Sequence, residues 1–138
     1  MLYLLDTDTL TLLADGHPRV KHHVKQHSPT DLCISVISVE EQLTGWYSEI
    51  RRAKTKSDVA EAYLHLQHTT HFLGRINIMP YTEKAIDRWN DLRKAKLNVG
   101  SMDLKIAAIA LEHQAVVVTR NLRDFKRVTG LELEDWSV

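Results

Sequence analysis

A single cysteine, Cys33, leaves no internal disulfide to staple the chain and fits a reducing compartment. Net charge is missing as well. Eighteen basic and eighteen acidic residues cancel, so nothing global attracts a polyanion, and any nucleic-acid contact has to come from a local patch. No apolar run approaches the roughly 20 residues of a membrane span. The opening MLYLLDTDTL has no basic leader and meets an acid at Asp6, which is not the pattern of a signal peptide, so the expected setting is cytoplasmic. Glycine and proline are scarce, five and three in all, and neither a linker nor a repeat divides the chain. Residues 1–138 are therefore expected to form one domain with one sizeable core. A Gly-rich phosphate loop and a nucleophile elbow are both absent. His65, His68 and His71 recur in threes and His22, His23 and His27 cluster, but steps of three drift around a helix. With no Cys or acid to complete a tetrahedral set, structural zinc is not expected.

What is present is organised around residues 99–125, VGSMDLKIAAIALEHQAVVVTRNLRDF. Gly100 breaks the preceding segment, and the Ser101 hydroxyl suits a helix N-cap. Leu104, Ile106, Ala107, Ala108, Ile109, Ala110 and Leu111 then make a helix apolar almost all round, which is the mark of a buried one. Asp103 falls in its first turn, where the helix dipole favours negative charge. Ala115–Val118 is a continuous apolar run ending at Thr119, as in a strand covered on both faces. A polar loop holding Asn121 and Asp124 is expected to follow, beyond the carboxyl end of that strand, where parallel sheets place their ligands.

Elsewhere, Leu2–Leu5 reads as a central strand that delivers Asp6 to the edge of the sheet. A short helix around Leu10, Leu12 and Leu13 ends at Asp15-Gly16, and Pro18 opens another, with Val20 and Val24 inward. Cys33–Ile37 reads as a second strand. Val39, Leu43, Trp46, Tyr47 and Ile50 recur at helical spacing behind a Ser38 cap. Asp58 is expected to cap the next helix and Thr82 the one after Ile76–Met79, a third strand. Residues 131–134 alternate apolar and acidic, like an edge strand with one wet face. The expected fold class is α/β, a three-layer α/β/α sandwich with a mostly parallel central sheet.

Asp6, Glu41 and Asp103 each stand at an element boundary: the end of the first strand, the first turn of the helix after the second, and the start of the buried helix. Carboxylates gathered in a partly dry cleft must take up protons or a cation. The natural cation is a hard one with oxygen ligands, Mg²⁺ or Mn²⁺. Such an ion generates hydroxide from water and stabilises displacement at phosphorus. Taken singly, each acid reads equally well as a turn residue, a solvated helix charge or a favourable N-terminal acid. Periodicity does not select Glu41, since Glu40 lies nearer the apolar stripe of its helix.

Three stretches, LLDTDTL at 4–10, ISVISVEEQLTG at 34–45 and GSMDLKIAAIALEHQAVVVTRNLRDFKRVTGLELEDW at 100–136, resemble the PIN-domain ribonucleases in order and spacing, and among them the VapC-type toxins of toxin–antitoxin pairs. The resemblance implies a PIN-like fold and metal ligation by Asp6, Glu41 and Asp103, Glu41 being chosen because the family's acid stands two residues before Leu43. A fourth polar or acidic group would come from Asn121 or Asp124. Asp8 departs from the family, which usually has Asn there. The implied protein is a Mg²⁺-dependent endoribonuclease whose RNA is cut by a metal-activated water. It would be restrained by a small antitoxin and would commonly be a homodimer. Arg120, Arg123, Lys126 and Arg127 offer local charge for RNA, while the run 51–56 reads more as a solvated face. Trp46, Tyr47 and Trp89 read as packing or interface residues before base-stacking ones. Two other functions compete. Asp-x-Asp in LLDTDTL suits a haloacid-dehalogenase-type phosphatase, with Asp6 as nucleophile and Asp8 as general acid, although such enzymes also need a later Lys and usually a cap domain. The third reading is a catalytically silent PIN-like module that binds RNA or protein.

Overall fold

The chain enters its sheet at the centre, and everything later is laid down on either side of that first strand. The computed structural model describes all of residues 1–138. Strand β1 (Tyr3–Leu5) pairs with β2 (Leu32–Ser35) on one side and β4 (Val116–Val118) on the other, and β3 (Asn77–Met79) and β5 (Glu132–Glu134) form the edges. The order is β3-β2-β1-β4-β5, and every pairing is parallel. Seven helices cover the faces: α1 (Thr7–Ala14), α2 (Pro18–Lys25), α3 (Val36–Arg52), α4 (Lys56–Leu73), α5 (Glu83–Lys94), α6 (Ser101–His113) and α7 (Leu122–Phe125). This is the expected α/β/α sandwich.

Side-chain alternation along the three inner strands sorts the core into two layers. Leu4, Cys33 and Val117 pack with Ala85 of α5, with Leu104, Ile106, Ala107, Ile109 and Ala110 of α6, and with Phe125 of α7. Their neighbours Leu5, Ile34 and Val118 point the other way, into a cluster with Leu10, Val20, Leu73 and Trp136. Because both faces are covered, these strands read as unbroken apolar runs. Ala107, Ala108 and Ala110 have no exposed surface, so α6 is buried nearly all round, as its composition requires. The indole of Trp136 is 2% exposed. It stacks against His23 and His27, with ring centroids 5.4 and 4.8 Å away and planes within 16°.

Several element starts differ from the sequence expectation. The second strand stops at Ser35, and Val36 and Ile37 are already helical. Ser35 rather than Ser38 is the cap of α3, its hydroxyl accepting the Ser38 N–H at 3.2 Å. Glu41 consequently lies in the second turn of α3, not the first. Thr55 caps α4 in place of Asp58, whose N–H it accepts at 3.0 Å. Gly100 takes the cap position of α6 with no side-chain bond, leaving Ser101 as the first helical residue. The stretch after β4, expected as loop, closes into the single turn α7. The Thr82 cap of α5 is as expected. So is β5, in which Leu133 is half-buried between exposed Glu132 and Glu134.

Candidate active site

Asp6 follows β1 directly and has two jobs set by the backbone. Its own N–H bonds to the Val118 carbonyl at 3.0 Å, continuing the sheet. Its carboxylate accepts the Thr9 N–H at 2.8 Å, so Asp6 is also the N-cap that starts α1. The residue is 4% exposed. Burial pushes its carboxyl above the ordinary range, opposed by hydrogen bonds from Thr119 and Thr9.

Glu41 reaches the same place from α3. Ser38 and Glu41, three residues apart, share a helix face with Gln42, and Thr7 and Thr11 share a face of α1. The two faces zip together. The Thr7 hydroxyl donates to Glu41 Oε1 at 2.7 Å and lies 2.8 Å from the Ser38 hydroxyl, and the Gln42 amide donates to the Thr11 hydroxyl at 2.8 Å. Thr7 therefore holds an acid of the cleft in position.

Asp103 sits in the first turn of α6. The Asn121 amide donates to its Oδ2 across 3.5 Å and to Asp124 Oδ2 at 3.0 Å, while the Asn121 N–H is held by the Thr119 hydroxyl at 2.9 Å. Asp6, Thr7, Asp8, Thr11, Glu41, Asp103 and Asn121 line one cleft of about 460 Å³ at the carboxyl edge of the sheet, with no apolar residue among them. Asp124 is not part of this lining. It braces Asn121 from behind, and that amide, helped by Arg123 and Arg127, holds its carboxyl below the ordinary range. Between the two expected fourth groups, Asn121 is the one that faces the cleft.

Charge in the cleft is one-sided. Burial first, then the charges of Asp6 and Glu41, push the Asp103 carboxyl from the ordinary 3.8 up to about 6. Between those values the folded chain holds a proton that the unfolded chain releases. The resulting stability is complete below 3.8 and is lost as pH rises through about 6. With EDTA present, urea denaturation should accordingly show the wild type losing stability from pH 5 to pH 7. Asp103→Asn should flatten that loss, and an unchanged slope in the variant would contradict the assignment.

The donor set suits a hard cation: carboxylates, hydroxyls and one amide, with neither His nor Cys. No three of the chain's acids, histidines or cysteines are gathered tightly enough to cage an ion by themselves. An ion that keeps several waters and takes one or two carboxylates directly, as Mg²⁺ does, fits such a spread set.

Of the cations expected near the site, Arg120 is paired with Asp8, and Arg123 and Arg127 lie 3.5 and 3.4 Å from Asp124 Oδ1. The basic run at 51–56 lies at the far end of α3, about 15 Å along the helix from Glu41. Arg52 is tied there to Glu49 at 2.7 Å. Trp89 packs against the α5–α6 core, Trp46 is half-buried beside His65 at 4.7 Å, and Tyr47 is exposed.

Fold and cleft together define a parallel-sheet α/β protein with an acidic site at the carboxyl ends of its central strands. The chain belongs to the PIN domain family, whose profile matches residues 3–131. It is 29% identical to Ribonuclease VapC1 of Haemophilus influenzae strain R2866, over 99% of each chain. It is 28% identical to the tRNA(fMet)-specific endonuclease VapC of Salmonella typhimurium strain LT2, over 97% of each. Among solved structures, DNA-bound VapBC from Salmonella typhimurium superposes with a TM-score of 0.80 at 27% identity, covering 99% of both chains. VapBC-1 from nontypeable Haemophilus influenzae gives 0.76 at 28% identity over the whole of each. A haloacid-dehalogenase site is not favoured. Asp8 is engaged by Arg120, and no lysine lines the cleft. A silent module is not favoured either, since these curated relatives are named as nucleases.

Proposed function

We propose that this protein is an endoribonuclease toxin of a toxin–antitoxin pair that hydrolyses phosphodiester bonds in single-stranded or looped RNA with Mg²⁺, Mn²⁺ being able to replace it. The observation that carries the reading is one cleft lined by Asp6, Glu41, Asp103 and Asn121, supplied by four separate segments, in a chain that matches VapC nucleases over nearly its full length. A divalent ion, when bound, supplies an acidified water as nucleophile and positive charge against the phosphate in the transition state. Asp6, Glu41 and Asp103 would hold it, one or two of them directly and the rest through its waters. Thr7 keeps Glu41 turned into the cleft, and the Thr9 N–H fixes Asp6. The Asn121 amide N–H donates a hydrogen bond towards Asp103 and adds no charge. In the reaction water oxygen bonds to phosphorus and the bond to the 3′ oxygen breaks, leaving a 5′-phosphate and a 3′-hydroxyl.

The same reading gives the protein a small antitoxin whose helical tail covers the cleft, a homodimeric state and a cytoplasmic setting. No helix is long and apolar enough to cross a membrane.

The test sets RNA beside a phosphomonoester, each with and without Mg²⁺. Only RNA should be consumed, and only with the ion present. Binding to the native state alone stabilises it by about 2.7 kcal/mol at a hundredfold excess over Kd. Mg²⁺ should therefore raise the Tm of the wild type by several degrees and that of Asp6→Asn by clearly less. Equal shifts would remove Asp6 from the ion site.

A further inference from the structure

Arg120 lies between Thr119 and Asn121, and its partner Asp8 lines the acidic cleft. Its guanidinium grips the Asp8 carboxylate with two bonds, Nε to Oδ2 at 2.8 Å and Nη2 to Oδ1 at 3.2 Å. The partners are 112 positions apart in sequence. Only the β1–β4 pairing brings the start of α1 beside the turn after β4. Both side chains are about half exposed, 49% for Arg120 and 52% for Asp8. An ion pair so open to water contributes little to stability, so bracing the fold does not account for it.

The contact has another meaning in chemistry. A planar, two-toothed grip on a carboxylate is the same grip a guanidinium makes on a phosphate. Asp8 also belongs to the lining of the cleft, together with Asp6, Glu41 and Asp103. A polyanion approaching these acids meets repulsion and needs a cation at the rim. Arg123 and Arg127 are turned to Asp124, and Arg127 also donates to the Asn98 carbonyl at 2.7 Å. Arg120 is the arginine whose partner already faces the cleft.

We propose that Arg120 is the RNA-phosphate clamp of this site and that Asp8 is a built-in substitute for the phosphate. In the free protein the carboxylate holds the guanidinium in its two-toothed orientation. An incoming phosphodiester then takes the place of Asp8, which is left facing water at small cost because it is already half exposed. The guanidinium exchanges one anion for another, so Asp8 sets a moderate threshold for RNA binding while keeping Arg120 oriented. The substrate in this inference rests on the nuclease reading above. The exchange itself is a statement about binding, and it is tested separately from cleavage.

The experiment measures the Kd of a fluorescent single-stranded oligoribonucleotide by anisotropy in Mg²⁺. The full-length chain carries Asp103→Asn to suppress cleavage. Arg120→Gln should weaken binding about tenfold and reduce the salt dependence by roughly the 0.7 expected for one lost single-strand phosphate contact. Arg120→Lys should keep the salt dependence but recover only part of the affinity, because an ammonium cannot make the two-toothed contact. Asp8→Asn should tighten binding about threefold, and this gain should vanish when Arg120→Gln is also present. Thermal melts confirm folding of each variant, and Arg120→Lys serves as the readout if Arg120→Gln does not fold.

Unchanged affinity in both Arg120 variants would overturn the clamp. An equal gain from Asp8→Asn with and without Arg120 would overturn the exchange, leaving Asp8 as bulk negative charge. Cleavage by the chain without Asp103→Asn is followed in parallel. RNA that binds through Arg120 but is never cut would remove the nuclease reading and leave the clamp standing. Asp103-dependent cutting with normal binding by the Arg120 variants would do the reverse.

Discussion

Asp103→Asn is expected to abolish RNA cleavage while the chain stays folded. The amide has nearly the shape of the carboxylate, and the side chain lies at the open start of α6 rather than in its packed middle. Shape is thus preserved and one negative charge is lost from the cleft proposed to hold the divalent ion. Removing a single preorganised electrostatic group from an active site costs on the order of 10²–10³-fold in rate. The loss here should reach at least that range. Stability should move the other way. Burial and the neighbouring charges of Asp6 and Glu41 disfavour the ionised form of Asp103, so without a divalent ion the variant should melt at or above the wild-type temperature at pH 7. Rates on a defined RNA together with melts in EDTA give both halves of the result. Retained cleavage by a folded Asp103→Asn protein would refute the site.

Trp136→Ala should be the most damaging single truncation outside the cleft. The indole is 2% exposed and closes the core layer formed by Leu5, Ile34, Val118, Leu10 and Val20. Two histidine rings of the α2 region stack on it, and Tyr3 of β1 lies 5.4 Å away. Emptying such a site costs about 3–5 kcal/mol, from lost burial plus the cavity left behind. For a chain of this size that corresponds to roughly 10 °C or more in Tm. Trp136→Phe should cost distinctly less, because most of the stacking surface remains. Urea titrations of the pair provide the check, and a loss below about 1 kcal/mol for the alanine variant would mean that the tail is not a structural element.

The parts of this molecule legible in its sequence are those written in contiguous residues. Leu2–Leu5 ending at Asp6 reads as a strand with an acid at its exit, and the structure forms that strand over Tyr3–Leu5 with Asp6 directly after it. The apolar helix behind Asp103 also reads directly, because an element buried on all sides has no polar face to confuse its period. Glu41 did not read from its helix. Its partner is Thr7, 34 positions earlier, so its face is defined by α1 and not by the apolar stripe of α3. Ser35 has the same capping chemistry as Ser38, the expected cap. What decides between them is pairing, since Ser35 stands opposite Met79 in the sheet and its backbone is extended. The turn α7 was missed because four residues are too few for any period to show. The Asp8–Arg120 pair was invisible for the same reason as Thr7–Glu41: tertiary contacts across long separations leave no local pattern.

The position of β1 at the middle of the sheet has a consequence for synthesis. Asp6 leaves the ribosome well before its N–H partner, the Val118 carbonyl, and before Asn121, which shares its cleft. Until β4 emerges, one flank of the first strand has no neighbour, and the acidic side chains have no common wall. A destructive activity assembled this way arrives only once β4 and the turn after it have been made, so a copy still lacking them has nothing with which to attack the RNA that surrounds it during translation.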